Sequence, residues 1–489
     1  MINPLKWFKK ETPVKIDRRS FNGAGTGRLF SAWTSQNYSA DHLLRQSLAT
    51  LRARSRELER NNDYAKKFFR MCRTNVVGKE GIKLQSQIVN DSGKSDDLAR
   101  MKVEEAWKIW AKKKNCDVTQ EYSFRDVQKM VISSLMRDGE VLIRLVKGYD
   151  NDFRFALQLI EADHLDEKYN DILANGNKIK MGKEFNQWGK CVAYWLYPYH
   201  PGDNIFGFSK SYDEKIRVPA EEIIHLYNPL RISQTRGLPA LHSALVRLHM
   251  LGGYEEAELV ASRISSSKMG FYKPGEEAQA SDANFADAKD SEGNLINEVE
   301  PGLLEELPPG YDFVAFDPNH PTTAFKDFVK TIIRGFCAGM DVSYASLSGD
   351  LESVNYSSIR AGVLDERDVW RDLQGFMVEH FMQPVFEAWL EMALLTKQIN
   401  LPFSKYDKFN NVKWQTRGWA WVDPLKDMQA SKQALAGGLN TASDILGENG
   451  KDIEEVYKRL EEEEQLRNKY NVKTDIYKDA QEVIIDESE

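Results

Sequence analysis

The stretch that organises this chain is residues 321–390, PTTAFKDFVKTIIRGFCAGMDVSYASLSGDLESVNYSSIRAGVLDERDVWRDLQGFMVEHFMQPVFEAWL. Its first part predicts a helix over residues 323–339, because apolar residues recur three and four positions apart, as on one face of a helix. These are Phe325, Phe328, Val329, Ile332, Ile333 and Phe336. The cations Lys326, Lys330 and Arg334 follow one another at intervals of four and therefore line up on another face. The predicted helix thus has an apolar side and a basic side.

Polar residues fill the segment after this helix. Residues 341–356 are rich in Ser, Asp, Asn and Gly, which favour turns over helix. A second, longer helix is predicted to follow, capped by Ser357 or Ser358, and Pro384 should kink or divide it. Two long helices around a polar loop predict a rigid arm. A basic line on such an arm suits a polyanion, although on this segment alone an ordinary solvated face is the favoured interpretation.

The composition is that of a large chain without a membrane-spanning run. At 489 residues it is long enough for more than one hydrophobic core. No apolar run is long enough to span a bilayer, and the lysines within residues 1–10 are not followed by the apolar region of a secretory signal. The four cysteines lie far apart without paired spacing, which predicts reduced thiols in an intracellular protein.

Charge is unevenly distributed along the chain, whose formal net charge is -8. Residues 43–84 contain eleven Lys or Arg against four Asp or Glu, whereas residues 448–489 contain seven against fourteen. Overall acidity argues against a protein that coats DNA generally, but it leaves a local contact with nucleic acid open. Four arginines are scattered around a predicted helix and favour salt bridges between subunits or domains over a nucleic-acid site. They are Arg52, Arg54, Arg56 and Arg60.

The region before the organising stretch predicts an α+β domain followed by one long helix. Residues 1–40 predict a flexible arm. Within residues 41–235, amphipathic helices alternate with short strands, and turns containing Gly and Pro separate them. A helix is then predicted over residues 239–269, interrupted only at Gly252 and Gly253.

Two further segments flank the organising stretch. Residues 273–299 are small, polar and acidic, which predicts an exposed or disordered insertion. Residues 303–316 predict two short strands about a Pro-Pro-Gly turn. Because this insertion lies between two long helices, it is a candidate docking surface. After the organising stretch, residues 425–470 predict helices that glycines interrupt, and a loose acidic tail follows.

No motif in the sequence carries convincing catalytic or metal-binding chemistry. The glycines of residues 21–28 lack the preceding strand and the following Gly-Lys-Ser/Thr of a phosphate loop. Residues 176–184, GNKIKMGKE, come closer, but the interval between glycines is one residue too long and Glu184 replaces the magnesium ligand. A third group matches no metal-binding loop and predicts a solvated turn. It comprises Glu161, Asp163, His164 and Asp166.

Seven segments taken together resemble the portal proteins of tailed bacteriophages, specifically the lambda-type portal family. They occur in order between about residue 41 and residue 466. They read LRARSRELERNNDYAKKFFRMCRTNVVG, RDGEVLIRL, LQLIEADHL, VPAEEIIHLYNPLRISQTRGLPAL, PGLLEELPPG, GMDVSYASLSGDLESVNYSSIRAG and RGWAWVDPLKDMQA. No single segment would suffice, but their order and number make the resemblance specific.

The resemblance implies a ring of identical subunits, usually twelve, at one vertex of the capsid. Double-stranded DNA of any sequence would enter through the central channel during packaging and leave through it during infection. The implied partners are the terminase large subunit, a head-completion or adaptor protein, and the major capsid and scaffold proteins. The protein would reside in the virion after assembly in the host cytoplasm, with no membrane partner and no cofactor.

The same resemblance implies an α+β portal-protein fold and assigns its parts along the chain. In order, these are a flexible N-terminal arm (1–40), an α/β wing (41–235), a stem helix (236–272), a small β-containing clip (273–320), a second stem helix (321–340), the tunnel loop (341–356), a long wing helix with return strands (357–424), and a helical crown with a loose acidic tail (425–489).

Two sets of site residues follow from this assignment. Phosphate contacts do not depend on the DNA sequence, so a sparse line of cations around the channel would position any duplex. An otherwise acidic channel wall would limit how tightly the DNA binds. The DNA-facing set is Lys326, Lys330, Arg334, Ser346, Ser348, Asp350, Ser353 and Asn355. The set for partner docking in the clip is Glu305, Glu306, Pro308 and Tyr311. No catalytic residue and no metal ligand are expected.

Two other functions compete with a structural channel. A packaging enzyme, such as a terminase-like ATPase or nuclease, would need a phosphate loop with magnesium ligands or a cluster of carboxylates. A simple DNA-binding module would need a strongly basic domain, which the overall acidity disfavours. ATPase activity of the purified chain would favour the first, and a salt-sensitive monomer bound to DNA would favour the second.

Overall fold

The computed structural model describes residue 28 and residues 32–203, 214–266, 270–274, 311–315, 325–352, 355–420 and 423–470. It is a mixed helix and strand structure, and none of the described helices is long and apolar enough to cross a membrane. The α-helices are α1 (Ala40–Asn61), α2 (Asp63–Cys72), α3 (Asp97–Trp110), α4 (Lys113–Cys116), α5 (Phe124–Asp138), α6 (Leu245–Ser266), α7 (Phe325–Gly339), α8 (Tyr344–Ser348), α9 (Tyr356–Met377), α10 (Gln383–Leu395), α11 (Tyr406–Phe409), α12 (Pro424–Ala436), α13 (Ala442–Glu448) and α14 (Ile453–Tyr470).

The strands form antiparallel sheets. They are β1 (Lys83–Ser86), β2 (Glu140–Lys147), β3 (Phe155–Ile160), β4 (Asp171–Ile172), β5 (Lys178–Lys180), β6 (Lys183–Phe185), β7 (Cys191–Leu196), β8 (Ile216–Pro219), β9 (Ile223–Tyr227), β10 (Gly270–Pro274), β11 (Tyr311–Ala315) and β12 (Val412–Gln415). Within the described residues, one sheet has the order β3-β2-β9 and another the order β4-β5-β6-β7-β8. The remaining two are the pairs β1-β12 and β10-β11.

The largest core is built from aromatic side chains of segments far apart in the sequence. Trp107 of α3 packs edge-on against Trp389 of α10, with ring centroids 4.9 Å apart, and against Phe124 of α5 at 5.1 Å. The Trp110 indole donates a hydrogen bond to the Phe155 carbonyl of β3, at 3.0 Å. Burying one large apolar side chain stabilises a fold by about 1.5–3 kcal/mol. Helix α10 therefore belongs to the same core as α3, α5 and β3.

Most of the predicted secondary structure is confirmed. Strands β2, β3 and β9 agree with the short strands predicted to alternate with helices within residues 41–235. Helix α1 ends at Asn61, and Asn62 caps α2 by accepting a hydrogen bond from the Ala65 N–H at 3.0 Å. Pro384 is the second residue of α10, directly after a π-helical segment, Val378–Met382, which divides the predicted long helix. The cysteines are free thiols.

The bounds of two elements were predicted wrongly. Helix α6 runs through Gly252 and Gly253 without the predicted interruption, since a glycine costs a helix only about 1 kcal/mol relative to alanine. The predicted polar loop contains the short helix α8, because the Ser343 hydroxyl accepts a hydrogen bond from the Ser346 N–H at 3.2 Å. Gly349, with φ of +75°, then ends this single turn.

The predicted cap of the long helix was also wrong. Helix α9 begins at Tyr356, and its cap is Asn355 rather than Ser357 or Ser358. The Asn355 side-chain oxygen accepts a hydrogen bond from the Ser358 N–H at 2.9 Å. Both the amide of asparagine and the hydroxyl of serine suit this position. The composition of the segment therefore predicted that a cap exists but not which residue forms it.

The predicted insertion is only partly described. Strand β11 matches the second of the two predicted strands, and its described partner is β10, with Gly270 opposite Ala315. The predicted Pro-Pro-Gly turn and the clip residues Glu305, Glu306 and Pro308 lie outside the described residues, as does Ser353. Of the predicted docking set, Tyr311 is described, as the first residue of β11.

Candidate nucleic-acid interface

The two predicted faces of α7 are confirmed. Its apolar face buries Ile333, Phe336 and Cys337, and the Phe336 ring packs edge-on against Phe68 of α2 at 6.3 Å between centroids. On the basic face, the Lys326 side chain is 61% exposed. The packing of one face against α2 therefore leaves Lys326 and Arg334 exposed, whereas the Lys330 side chain is only 17% exposed.

The lysines of this face are paired with carboxylates of the loop that follows α7. The Lys326 ammonium lies 2.6 Å from a carboxylate oxygen of Glu352. The Lys330 ammonium lies 2.9 Å from Asp350 and 3.5 Å from Glu352. The Tyr344 hydroxyl also donates to Asp350, at 3.0 Å. We call these five residues the loop clasp.

The loop clasp is ionised at neutral pH. The hydrogen bond from Lys330 is the main cause that lowers the pKa of Asp350 to about 2, and the same bond raises the pKa of Lys330. A hydrogen bond from Lys326 likewise lowers the pKa of Glu352. Two ammonium groups and two carboxylates therefore cancel in charge at the surface of α7.

Arg334 differs from the two lysines. Its guanidinium carbon lies 5.4 Å from the centroid of the Tyr344 ring, a cation–π contact. Within the described part of the chain, no carboxylate lies within salt-bridge distance of it. Of the three predicted cations, Arg334 is therefore the one whose charge no described carboxylate neutralises directly.

The predicted serines of the loop make hydrogen bonds within the loop. The Ser343 hydroxyl donates to the Ser346 hydroxyl at 2.7 Å. The Ser348 hydroxyl donates to the Tyr344 carbonyl at 2.7 Å and accepts from the Asp350 N–H at 3.0 Å. Both Ser346 and Ser348 are half-buried. Their structural role in the loop is thus described, and their predicted contact with DNA stays a prediction.

The loop is also anchored to the long helix. The carboxylate of Glu366 in α9 accepts hydrogen bonds from the Ser343 N–H and from the Trp370 indole, both at 3.1 Å. Trp370 is buried and only 2% exposed. At the far end of the loop, Asn355 caps α9 and is exposed. The structure thus brings the described members of the predicted DNA-facing set together around one loop and the helices on either side of it.

A buried ionic cluster around Glu140 was not predicted. Its carboxylate lies 2.7 Å from Arg236, 2.9 Å from Arg52 and 2.9 Å from His225, and all four side chains are at most 1% exposed. Burial opposes ionisation of Glu140, but Arg236 and His225 outweigh it and hold its pKa well below the ordinary value. The sequence signal for it is a lone glutamate at the start of an apolar strand, EVLIRLVK, since a buried charge needs a partner.

Two of the four residues rejected as a metal site, Glu161 and Asp163, lie beside His200 in the structure. The His200 Nε2 lies 3.2 Å from the Glu161 carboxylate. The Arg56 guanidinium already occupies this position, 2.6 Å from Asp163. The other ring nitrogen, His200 Nδ1, accepts the Gly202 N–H at 3.0 Å. Asp163 belongs to an ion-pair network, so the predicted solvated turn was wrong for this residue.

The comparison with protein families decides which group of proteins the chain is part of. Residues 26–374 match the model of the family described as phage portal protein, lambda family. This chain belongs to that family. The matched range includes α1 to α8, the loop clasp and most of α9. The predicted family resemblance is thereby confirmed, and six of the seven sequence segments lie within the matched range.

Two phage proteins that are named as portal proteins are similar to this chain over most of their length. The "Probable portal protein" of Halomonas phage phiHAP-1 is 37% identical over 456 residues, which cover 91% of this chain and 86% of that relative. "Portal protein B" of Escherichia phage lambda is 21% identical over 471 residues, 89% of this chain and 87% of the lambda protein. The similarity to these two portal proteins thus extends beyond the range of the family match.

Solved structures of gene transfer agent (GTA) particles also match this portal-family chain. A chain from the neck of a native GTA particle, computed with twelvefold cyclic symmetry, has a TM-score of 0.40 and 12% sequence identity, covering 87% of this chain and 99% of that chain. A chain from the virion of a native GTA particle has a TM-score of 0.39.

Proposed function

We propose that this chain is the subunit of a closed ring, usually of twelve copies, at one vertex of a phage capsid. The central channel of the ring would pass double-stranded DNA during packaging and ejection. The observation that carries this proposal is the family match over residues 26–374. The fold supports it, because the matched range includes an amphipathic helix with a basic face beside a polar loop.

The parts of the portal fold are proposed on the same basis. Helices α9 and α10 share one aromatic core with α3, α5 and β3, which supports assigning residues 41–235 and 357–424 to one wing. Helices α6 and α7 contact each other through Tyr254 and Phe328, 4.9 Å apart, which supports a two-helix stem. The β10-β11 pair connects these helices and supports a small clip. Helices α12 to α14 would form the crown.

Electron microscopy of the purified protein tests the ring directly. Negative-stain images should show rings with a central hole and radial projections, and their symmetry gives the number of subunits. Monomers at every concentration, together with ATP hydrolysis, would instead favour a packaging enzyme. The structure offers that alternative no support at residues 176–184, which form the β5-β6 hairpin. There the Lys183 ammonium is buried and donates to the Thr235 carbonyl at 3.2 Å.

The basic face of α7 is proposed to meet the DNA. Phosphate contacts from Lys326, Lys330 and Arg334 would hold the duplex without reading its sequence. Replacing all three with Gln should leave ring assembly intact and change DNA packaging or retention, measured as DNA content per particle. Packaging and retention equal to those of the native ring would refute the DNA-facing assignment.

The clip is proposed to dock the packaging motor and later the head-completion protein. The residues proposed for this contact are Glu305, Glu306, Pro308 and Tyr311. Rings carrying Glu305→Gln and Glu306→Gln should bind the terminase large subunit more weakly in a pull-down, because two charges of the docking surface are removed. Equal capture by both rings would remove these two residues from the docking surface.

A further inference from the structure

The lysines proposed to contact DNA are already neutralised in the isolated subunit. Lys326 pairs with Glu352 at 2.6 Å and Lys330 with Asp350 at 2.9 Å. A phosphate that approaches either ammonium therefore meets a cation and an adjacent anion together. The loop clasp therefore lowers the net positive charge that the basic face of α7 presents to a polyanion.

The two main ion pairs of the loop clasp differ in exposure, because Lys330 and Asp350 are only 17% and 23% exposed. The side chains of Lys326 and Glu352 are both more than 60% exposed, at 61% and 63%. Exposed ion pairs are weak, and salt screens them further. A phosphate, which presents strong acceptor oxygens, can therefore replace Glu352 as the partner of the solvated Lys326. It reaches Lys330 only when the half-buried pair with Asp350 opens.

The carboxylates stay close to α7 even when a lysine leaves them. Asp350 keeps a hydrogen bond from the Tyr344 hydroxyl at 3.0 Å, and its other oxygen accepts the Glu352 N–H at 3.0 Å. The loop around them is anchored to Glu366 of α9 through the Ser343 N–H. The negative charge of Asp350 would thus remain beside a phosphate bound to the lysines, and the Glu352 backbone stays hydrogen-bonded to it.

We propose that Asp350 and Glu352 compete with DNA phosphates for Lys326 and Lys330, and thereby limit how strongly the ring grips DNA. This inference rests on the proposed function, in which the basic face of α7 meets the DNA. The ligand class is the phosphate backbone of a duplex of any sequence. The competition keeps the binding of each subunit weak, as a channel through which DNA must slide requires.

Binding of a short DNA duplex to assembled rings, measured against salt concentration, tests the competition. Rings with Asp350→Asn and Glu352→Gln should bind more tightly, and the slope of log K against log salt should steepen by up to about 0.9 for each phosphate newly neutralised. Asparagine is close in shape to aspartate, and its single side-chain oxygen can keep one of the two bonds, from the Tyr344 hydroxyl or from the Glu352 N–H. Negative-stain images of each variant establish that the rings have assembled.

A matched control separates local competition from a change in total charge. Asp372 in α9 and Glu379 in the π-helical segment after it are exposed and do not belong to the loop clasp. Rings with Asp372→Asn and Glu379→Gln carry the same change in charge and should bind DNA as the native ring does. If this control gains as much affinity as the loop variant, the effect is general and the competition is refuted.

Adding Lys326→Gln and Lys330→Gln distinguishes failure of the inference from failure of the proposed function. In the loop variant, these changes should abolish the gain in affinity and in salt slope. If the lysine changes weaken binding but the loop changes leave it unaltered, the lysines meet DNA without competition, and only this inference fails. If neither set of changes alters binding, the DNA-facing assignment itself fails.

Discussion

At the scale of single residues, Gly139 and Gly237 lie where two backbones come into contact. A Cβ added to Gly237 would lie 1.9 Å from the Gly139 carbonyl oxygen, and Gly139 itself has φ of +87°. We expect Gly237→Ala to lower the free energy of unfolding by about 3 kcal/mol or more, since the clash involves backbone atoms that cannot rotate away. Thermal unfolding measures the change.

A glycine in open space provides the control for this substitution. A Cβ on Gly252 in α6 would have no neighbouring atom within 4 Å in the described structure. Gly252→Ala should therefore stabilise the protein by up to about 1 kcal/mol through helix propensity. A Gly237→Ala variant that melts at the native temperature would contradict the close approach of the two backbones.

Glu140 should be among the side chains least tolerant of neutralisation. Its replacement by Gln would leave Arg236, which is fully buried, without a carboxylate partner. Removing one member of a buried ion pair costs about 3–5 kcal/mol, and urea unfolding should show a loss of that order. Glu222 pairs with Arg144 at 2.8 Å but is 39% exposed, so Glu222→Gln should cost about 1 kcal/mol or less. Equal losses for the two variants would refute this assignment.

The same cluster predicts how stability depends on pH. Burial lowers the pKa of His225 to about 4, from an ordinary value of 6.5. When the pH falls from 6.5 towards 4, this histidine is protonated in the unfolded chain but stays neutral in the folded protein. The free energy of unfolding therefore decreases. Glu140 adds a further loss below its ordinary pKa of 4.5, because its folded pKa is lower still. Melting temperatures of His225→Gln should vary less between pH 6.5 and pH 4.5 than those of the native protein, and an unchanged profile would count against His225.

At the scale of elements, the cap of α9 determines where the loop ends. Asn355→Ala removes the acceptor of the Ser358 N–H and should cost about 1 kcal/mol. Asn355→Asp keeps an acceptor and adds a charge that favours a helix N-terminus, so it should restore the cap. Hydrogen exchange at the first amides of α9 should be faster in the Ala variant only. Equal protection in both variants would mean that another residue caps the helix.

Elements with a strong local pattern were predictable from the sequence. Strands β2, β3 and β9 are apolar runs bounded by turns, and α7 has a continuous apolar face. Helix α8 has only five residues, fewer than two turns, so no periodicity can reveal it. Strand β10 was missed because its described partner, β11, lies beyond a long insertion.

The electrostatic partners were not predictable, for a different reason. The spacing of Lys326 and Lys330 shows that they share a helix face, but not that the loop folds back to place Asp350 and Glu352 on them. The cluster around Glu140 is likewise assembled from segments that are distant in sequence. Helical spacing places side chains on one element, whereas ion pairs between elements depend on the tertiary fold.

At the scale of the whole molecule, the C-terminal helices α12 to α14 contact the preceding chain where Gly450 packs against Gly418. A Cβ on Gly418 would lie 2.2 Å from the Gly450 nitrogen, and Arg100 pairs with Glu454 at 2.8 Å. Gly418→Ala should therefore loosen residues 423–470 and speed their proteolysis. Gly447→Ala should not, because a Cβ there meets no described atom within 4 Å. Equal cleavage rates for the two variants would argue against this contact.

The pairing of β1 with β12 also has a consequence for how the chain is made. Gln87 and Asn411, which hydrogen-bond beside this pair, are 324 residues apart in sequence. At about 5–20 residues per second, a ribosome takes on the order of 16–65 s to synthesise the chain between them. During that time β1 emerges without its partner, and its open edge is free to pair with other nascent chains. Synthesis at lower temperature or with chaperones in excess should therefore improve the yield of native protein.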